Sequence, residues 1–173
     1  MKNYLILPFL FILMLFSSSY SAQKKGFYEN VQKKNVAKVL DDLNLFAATS
    51  QYKEYFDLYA EESVFIGTDA TEVWTKKEFM DYAKSAFEKP VAWDFKSLKR
   101  NIYFSQDGKY AWFDEILDSW MKICRGSGVL VKIGNKWKIK QYVLSMTVPN
   151  DNTKEVVKTK APIEDKYLEE LKK

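Results

Sequence analysis

Two adjacent carboxylates and one arginine are the side chains of this sequence that are best suited to chemistry. Asp114 and Glu115 form the candidate catalytic pair, and Arg125 follows them in the chain. A carboxylate in an apolar pocket is harder to ionise, which raises its pKa and lets it exchange a proton with a ligand. An arginine can bind an anionic ligand through two parallel hydrogen bonds. Arg125 can instead form a structural ion pair with Asp114 or Glu115, and we favour that interpretation.

Further candidates for ligand contact are polar or aromatic residues in or beside predicted strands. They are Asp69, Glu72, Trp74, Trp112, Ser127 and Gln141. Asp69 can face a ligand, or it can accept hydrogen bonds from backbone N–H groups within a turn. We favour the turn.

Two glycines flank Ser127, as in a nucleophile elbow. That motif needs a strand-to-helix turn and a His partner, and the chain contains no His. Gly126 and Gly128 are therefore predicted to allow close packing or a bulge in a curved sheet. Without His and with Cys124 as the single cysteine, a zinc site is not expected, and no loop has the spacing of a Mg or Ca site. We expect no metal and no cofactor, and we expect Cys124 to be a half-buried strand residue.

Length and composition indicate one folded domain with a real core. The chain has 173 residues, of which 47% are hydrophobic and 16% aromatic. The net charge is +4, and Lys and Glu are interspersed. Binding of nucleic acid is not expected, because neutralising phosphates requires clustered cations.

The N-terminal segment 1–22 is typical of a signal peptide. Lys2 supplies a positive charge, an apolar run covers 5–16, and small residues lead to a cleavage site after Ala22 or at one of the serines just before it. The apolar run is shorter than the ~20 residues that span a bilayer. We therefore expect a protein exported from a bacterium, periplasmic or secreted, with no stable membrane anchor after cleavage.

Apolar periodicity predicts helices first and strands afterwards. Residues 23–34 are expected to be a flexible leader, 35–151 the folded domain, and 152–173 a charged tail with a short helix from Glu164. Thr75 and Glu78 have capping-box spacing for a helix that ends near Phe87. The other predicted elements are helices from Asn35 and from Tyr52 and strands over 63–67, 91–105, 110–120, 125–133 and 137–147.

Period-two alternation assigns faces to the last two strands. Lys138 and Lys140 mark one face of the final strand as exposed. The opposite face, predicted to point inward, carries Trp137, Ile139, Gln141 and Val143. On the preceding strand Arg125 and Ser127 lie opposite Lys132 and are likewise predicted to point inward.

Two further points concern the sheet as a whole. On strand 110–120 alternation does not decide whether Asp114 or Glu115 points inward. An outward apolar stripe is predicted at Tyr142, Leu144 and Met146, and we expect a homodimer that covers it.

Five segments, taken in order, resemble a SnoaL-like domain of the NTF2-like superfamily. They are 65–74, 111–115, 124–130, 137–142 and 148–151. The resemblance covers roughly 36–151 and implies an α+β fold, a cone in which N-terminal helices pack on a curved antiparallel sheet. It also implies an apolar cavity with an open end, and dimers that form through the outer sheet face.

The resemblance leaves the function open between classes. The superfamily includes ketosteroid isomerases and polyketide cyclases, which move protons with a pocket carboxylate. Relatives often carry a His or Asn on the last strand, where this chain has Val143, and isomerases carry an acid where it has Val129. These departures favour a non-enzymatic protein that binds a small, partly apolar ligand. The alternatives are a proton-transfer isomerase or cyclase that uses Asp114 or Glu115, and a dimeric interaction module with a filled cavity.

Overall fold

The computed structural model describes residues 29–173. The predicted signal peptide therefore lies outside the described residues. The first helix, α1, is helical from residue 29 to 48, so the leader prediction is wrong for residues 29–34. The later elements are α2 (Tyr52–Asp57), β1 (Tyr59–Ile66), β2 (Val73–Thr75), α3 (Lys76–Phe87), β3 (Lys96–Phe104), β4 (Tyr110–Ser119), β5 (Lys122–Ile133), β6 (Lys136–Met146), a 3₁₀ turn (Asn150–Asn152) and α4 (Thr153–Leu171).

The strands form one curved, unclosed sheet in the order β2-β1-β6-β5-β4-β3. All neighbours are antiparallel except β1 and β6, which are parallel. The sheet is therefore mixed, and the predicted antiparallel arrangement holds at every pairing except this one. After β1 the chain forms β2 and α3. It then runs through β3, β4 and β5 as a meander, and the last strand, β6, pairs with β1. The α+β architecture with N-terminal helices on a cone-shaped sheet is as predicted.

Helix α3 begins at the predicted capping box. The Thr75 hydroxyl accepts a hydrogen bond from the Glu78 backbone N–H, and the Glu78 carboxylate accepts one from the Thr75 N–H at 2.9 Å. These two bonds satisfy N–H groups that a helix start otherwise leaves without partners. The buried side of α3 carries Phe79, Ala83 and Phe87, and packs with α1 against the concave, or inner, face of the sheet.

A β-bulge in β6 overturns part of the predicted face assignment. Val129 on β5 pairs with Gln141, but the next residue, Leu130, pairs with Ile139, so β6 holds one extra residue. One extra residue reverses the facing of everything beyond it. Trp137 and Ile139 point inward as predicted. Past the bulge, however, Tyr142 and Leu144 are buried, and Gln141 and Val143 lie on the outer face.

The inner face of β5 is also opposite to the prediction. Cys124, Gly126 and Leu130 are buried, so Arg125 and Ser127 lie on the outer face. Lys132 misled the assignment, because it shares the inner face at the strand end, where its Nζ lies 5.8 Å from the centre of the Trp137 ring. A long lysine side chain can lie along an apolar face and keep its charge in water.

The glycines of β5 permit close approach, as predicted. A Cβ on Gly128 would lie 2.1 Å from the backbone carbonyl oxygen of Gln141, at the bulge. Cys124 is a free cysteine and fully buried, deeper than the half-buried position that the sequence predicts. On β4 the inner residues include Phe113, Glu115 and Leu117, which decides the alternative left open by the sequence.

Helix α4 is longer than the predicted terminal helix. It runs through Pro162 and has no buried residue. A proline inside a helix removes one backbone hydrogen bond, and an exposed helix can return the freed carbonyl to water. Within residues 29–173 no helix is long and apolar enough to cross a membrane.

Candidate functional site

A cavity of about 180 Å³ opens between α1, α2, α3 and the inner face of the sheet. Nine of its seventeen lining residues are aromatic. Tyr55 comes from α2, Phe79 from α3 and Tyr142 from β6, while Trp93 precedes β3 and Trp74 lies on β2. The local pattern explains the site, because each helix turns its apolar stripe inward and each strand alternates onto the concave face.

Several of these rings stack on one another and form an aromatic wall of the cavity. The Phe65 and Phe79 rings are 3.9 Å apart with an angle of 14°, and those of Trp74 and Tyr82 are 4.3 Å apart at 29°. The Phe65 and Tyr142 rings lie 6.0 Å apart and are parallel to within 1°. Stacked rings cover part of each other's faces, so the wall gives the cavity an apolar aromatic lining and not one continuous flat surface.

Glu72 lies at the rim of the cavity, on the turn between β1 and β2. The Gly67 N–H donates to the Glu72 carbonyl at 2.9 Å, and the Asp69 N–H donates to Glu72 Oε2 at 3.2 Å. A Cβ on Gly67 would lie 2.0 Å from that same carboxylate oxygen. Gly67 therefore makes the room in which the Glu72 side chain lies.

Asp69 shapes this turn, which confirms the turn interpretation. Its Oδ1 accepts hydrogen bonds from the Thr71 hydroxyl at 2.6 Å and from the Thr71 backbone N–H at 2.9 Å. Both bonds lower the pKa of the Asp69 carboxyl, and the bond from the Thr71 hydroxyl has the larger effect. Asp69 is exposed and is not among the residues that line the cavity.

Glu115 lies behind the cavity, fully buried in a polar cluster. Its Oε2 accepts a hydrogen bond from Arg100 Nε at 2.8 Å, and Arg100 Nη2 is 2.8 Å away without hydrogen-bond alignment. Its Oε1 accepts a hydrogen bond from the Tyr142 hydroxyl at 3.3 Å. Arg100 Nη1 also donates to Asp41 at 2.7 Å and to the Ala37 carbonyl at 3.1 Å. Both carboxylate oxygens of Glu115 are therefore engaged by protein groups.

The environment of this cluster shifts two pKa values upward. Burial by itself lowers the pKa of the Arg100 guanidinium, but Glu115 and Asp41 outweigh it, so the pKa is raised. Burial, and then the charge of Glu115, raise the pKa of the Tyr142 phenol well above its ordinary value. Tyr142 is thus held as a neutral hydroxyl that donates to Glu115 while its ring lines the cavity.

The predicted pair between Arg125 and a neighbouring carboxylate is wrong. Arg125 lies on the outer face opposite Ile116 and Ser145, and it has no ion pair within residues 29–173. Arg100, on β3, fills the role instead, because it lies directly opposite Glu115 on the inner face. Asp114 points outward and accepts a hydrogen bond from Asn101 Nδ2 at 3.0 Å.

Of the other predicted contact residues, the structure brings two to the cavity. Glu72 and Trp74 line it. Ser127, Gln141 and Trp112 lie on the outer sheet face, where Trp112 stacks on Tyr103 at 5.9 Å. Val143 and Val129 are also on the outer face, so Tyr142 is the inward residue next to the position that the resemblance matched to Val143.

Sequence reasoning missed most of the aromatic wall and one part of the rim. Trp120 and Met121 form the tight turn between β4 and β5, which brings both to the cavity. The Ser119 hydroxyl stabilises this turn by donating to the Lys122 carbonyl at 3.0 Å and by accepting from the Met121 N–H. The sequence did contain a signal for this part of the rim. A large aromatic residue, Trp120, stands in the turn between two segments of alternating polarity, where a small polar residue is usual.

The charges around the cavity are one-sided. Glu72 is the only acidic residue that lines it, and no lysine or arginine does so among residues 29–173. In the same part of the chain no group of three or more His, Cys, Asp or Glu residues is placed to hold a metal ion. The site can therefore enclose an apolar body and present a carboxylate, an amide from Asn44 and a hydroxyl from Thr68.

Comparison with known families gives the class that this fold and cavity define. The sequence profile of the SnoaL-like domain matches residues 36–149, which is more than half of the chain. The protein therefore belongs to the SnoaL-like domain family. No curated protein matches the sequence.

Solved structures confirm the fold. An NTF2-like protein of unknown function from Pseudomonas putida superposes with a TM-score of 0.59 at 8% identity, over 71% of this chain and 92% of the other. A Novosphingobium aromaticivorans protein, provisionally assigned as a scytalone dehydratase, gives 0.59 at 11% identity, over 69% and 87%. Another from that species, provisionally assigned as an aromatic ring hydroxylase, gives 0.57 at 10%, over 66% and 88%. At these identities the likeness concerns the fold alone.

Proposed function

We propose that this SnoaL-like protein binds a small, partly apolar molecule in its cavity and does not transform it. The observation that carries the proposal is the contrast between an open aromatic cavity and a carboxylate that is buried outside its lining, with each oxygen hydrogen-bonded to a protein group. Glu115 does not line the cavity, and its oxygens accept hydrogen bonds from Arg100 and Tyr142. A general base must reach the proton that it abstracts, within hydrogen-bond distance or through one water.

The size of the cavity supports a ligand with about one ring. An apolar cavity of about 150 Å³ holds a benzene molecule. This cavity, at about 180 Å³, has room for one ring with a small substituent. A steroid-sized body would extend beyond it.

The alternative is a proton-transfer isomerase or cyclase, and one observation favours it. The Tyr142 ring lines the cavity and its hydroxyl is hydrogen-bonded to Glu115, so Tyr142 could donate to a ligand carbonyl. Of the two candidate carboxylates, this alternative would use the inward Glu115 and not the outward Asp114. Turnover of a cyclic enone that is lost in Tyr142→Phe would support it.

Thermal denaturation with a panel of single-ring compounds tests the binding proposal. We expect millimolar 4-tert-butylphenol to raise the melting temperature of the wild-type protein without being consumed. Trp74→Ala should remove the shift, because Trp74 lines the cavity, and Trp112→Ala should keep it, because Trp112 lies on the outer face. No shift with any compound, or an equal loss in both variants, would contradict the proposal.

A homodimer through the outer sheet face is also part of the proposal. The residues that would form its interface differ from the stripe that the sequence predicted. Tyr142 and Leu144 are buried within the fold, so the outward stripe predicted there does not exist. Trp112 and Tyr103 instead form a stacked pair on that face, and they are 46% and 47% exposed. Apolar surface of this kind is often covered by a partner. Light scattering should give a dimer mass for the wild type and a monomer mass for Trp112→Lys.

Export completes the proposal and rests on the sequence of residues 1–22. A protein recovered from outside the cytoplasm of a bacterium should lack this segment. Intact-mass measurement of the secreted or periplasmic protein tests this. A full-length chain in the membrane fraction would contradict it.

A further inference from the structure

The cavity carries a negative charge at its rim, although the protein as a whole is basic. The chain carries 27 Lys and Arg against 23 Asp and Glu. Even so, the only charged residue that lines the cavity within residues 29–173 is Glu72. An anionic ligand would meet a like charge and no cation, and like charges in a poorly solvated site are strongly disfavoured.

Glu72 has capacity left for a ligand. Its Oε2 accepts one long hydrogen bond, from the Asp69 N–H at 3.2 Å, and the side chain makes no ion pair within residues 29–173. The side chain is half-buried at the rim. A carboxylate accepts at about four lone-pair positions, so most of its hydrogen-bonding capacity is available.

The aromatic wall adds a second attraction for positive charge. The faces of Trp and Tyr rings carry negative electrostatic potential and attract ammonium groups within about 6 Å, most strongly where water is excluded. Trp74 and Tyr82 both line the cavity with Glu72, and because they stack at 4.3 Å each covers one face of the other. Trp93 also lines the cavity, and so does Trp120, which is 83% exposed. A carboxylate beside several indole and phenol rings is a suitable environment for an organic cation.

We infer that the ligand of this cavity is a small organic cation, an amine or quaternary ammonium compound with a compact apolar or single-ring body. The inference rests on the proposed function and names the chemical class of its ligand. The apolar body occupies the space between the rings, and the ammonium group lies at the rim beside Glu72. A quaternary ammonium needs no hydrogen-bond acceptor, so rings and one carboxylate suffice to bind it.

A pair of isosteric probes tests the role of charge. (4-Hydroxyphenyl)trimethylammonium and 4-tert-butylphenol have nearly the same shape and differ by one positive charge. Titration calorimetry and quenching of tryptophan fluorescence should show the cation binding about tenfold more tightly than the neutral compound, as expected from cation–π attraction and one nearby carboxylate. The preference should fall as salt is added, because the carboxylate at the rim is partly solvated.

Glu72→Gln is the decisive variant. The amide keeps an oxygen that can accept from Asp69 N–H, so the turn should be preserved while the charge is lost. We expect the preference for the cation to shrink markedly in this variant, with only the part due to the rings remaining, and the affinity of the neutral probe to be unchanged. Glu62→Gln is the matched control, because Glu62 is an exposed carboxylate on β1 that does not line the cavity.

The outcomes separate this inference from the proposed function. Equal binding of both probes, or the same cation preference in Glu72→Gln, would overturn the cationic ligand and leave a pocket for neutral molecules. Binding of neither probe to the wild-type protein would overturn both proposals. Loss of cation preference in Glu62→Gln as well would show a general surface-charge effect and would also overturn the inference.

Discussion

Two carboxylates of this fold, Glu115 and Glu72, lie on opposite sides of the same aromatic wall and differ in every respect that matters for function. Glu115 is 0% exposed and is bound by Arg100 and Tyr142. Glu72 is half-buried, accepts one long hydrogen bond and has no cationic partner within residues 29–173. The buried carboxylate is therefore part of the framework, and the rim carboxylate is available to a ligand.

A glycine lies against each carboxylate, and the two glycines have different neighbours. A Cβ on Gly126 would lie 2.5 Å from the Tyr142 hydroxyl and 3.1 Å from Glu115, inside a packed core. The three atoms nearest to a Cβ on Gly67 all belong to the Glu72 side chain at the rim, with Oε2 at 2.0 Å and Cβ and Cδ at 2.9 Å. Gly126 therefore lies against tightly packed core groups, whereas Gly67 lies against a side chain whose carboxylate end can move. The comparison predicts large effects on folding at the first site and effects on binding at the second.

The largest effect is expected from Arg100→Leu. This change leaves the Glu115 carboxylate buried without its cation, which should lower the free energy of unfolding by about 3–5 kcal/mol. Adding Glu115→Leu should recover much of that loss, because a buried ion pair can be replaced by apolar side chains of similar size. Urea denaturation of the wild type, both single variants and the double variant gives the coupling energy.

Arg125→Leu is the matched control for this cycle. Arg125 is exposed on the outer face, so its removal should change the free energy of unfolding by less than about 0.5 kcal/mol. If Arg125→Leu destabilises as much as Arg100→Leu, or if Arg100 and Glu115 show no coupling, the framework role of the buried cluster is wrong.

Gly126→Ala should have the next largest effect. The added methyl group must displace the Tyr142 hydroxyl or Glu115, and overpacking of a core costs about 1–3 kcal/mol. Tyr142→Phe removes the nearest atom, so in that background Gly126→Ala should cost less. Equal costs of Gly126→Ala with and without the Tyr142 hydroxyl would show that the close approach does not limit packing there.

Much of the fold could be predicted because its signals are local. The capping box at Thr75 and Glu78 and the end of α3 at Phe87 each depend on neighbours in the chain. The parallel pairing of β1 with β6 could not be predicted in this way. The pairing joins two strands that are far apart in the sequence, so it depends on the path of the whole chain between them and not on any short segment.

The residues of the site were predicted less well, because the inward or outward direction of a strand residue depends on counting the alternation without error along the whole strand. One extra residue at the β6 bulge moves Tyr142 inward and Gln141 outward. At the end of β5, Lys132 lies on the inner face beside Trp137, and its charge suggested the opposite assignment. Glu72 and Trp74 do line the cavity. They belong to a short turn and a short strand, where no alternation had to be followed along many residues.

An effect confined to alkaline solution is expected from the buried phenols. Burial is the main cause that raises the pKa of Tyr142 and of Tyr59 well above the ordinary value of 10.0. Below pH 10 both folded and unfolded chains keep these protons, so stability does not depend on them. Above pH 10 the unfolded chain loses them first, so the free energy of unfolding should fall as pH rises toward the folded pKa values.

Urea unfolding midpoints between pH 8 and pH 11 measure this dependence. Tyr142→Phe should lose less stability over that range than the wild type, because one raised phenol is absent. At pH 8 the same variant should lose only about 1 kcal/mol for the hydrogen bond to Glu115. An unchanged slope above pH 10 in Tyr142→Phe would contradict the assignment of Tyr142 to the buried cluster.

The smallest effect on folding is expected from Gly67→Ala, and it is the change that best separates the two carboxylates. The new Cβ would lie 2.0 Å from Glu72 Oε2, which can swing into solvent, and 2.9 Å from Glu72 Cβ, which can move only with the backbone of the turn. Because most of the clash is with the movable end of the side chain, the cost should be about 1 kcal/mol, at the low end for overpacking. Displacing the carboxylate should also reduce the preference for a cationic ligand, with little change for a neutral one. Glu72→Ala in the same background should recover part of the lost stability, because only the contact with Cβ remains, without restoring the preference. If Gly67→Ala instead destabilises as strongly as Gly126→Ala, Glu72 is held as firmly as Glu115, and the division into a framework carboxylate and a ligand carboxylate is wrong.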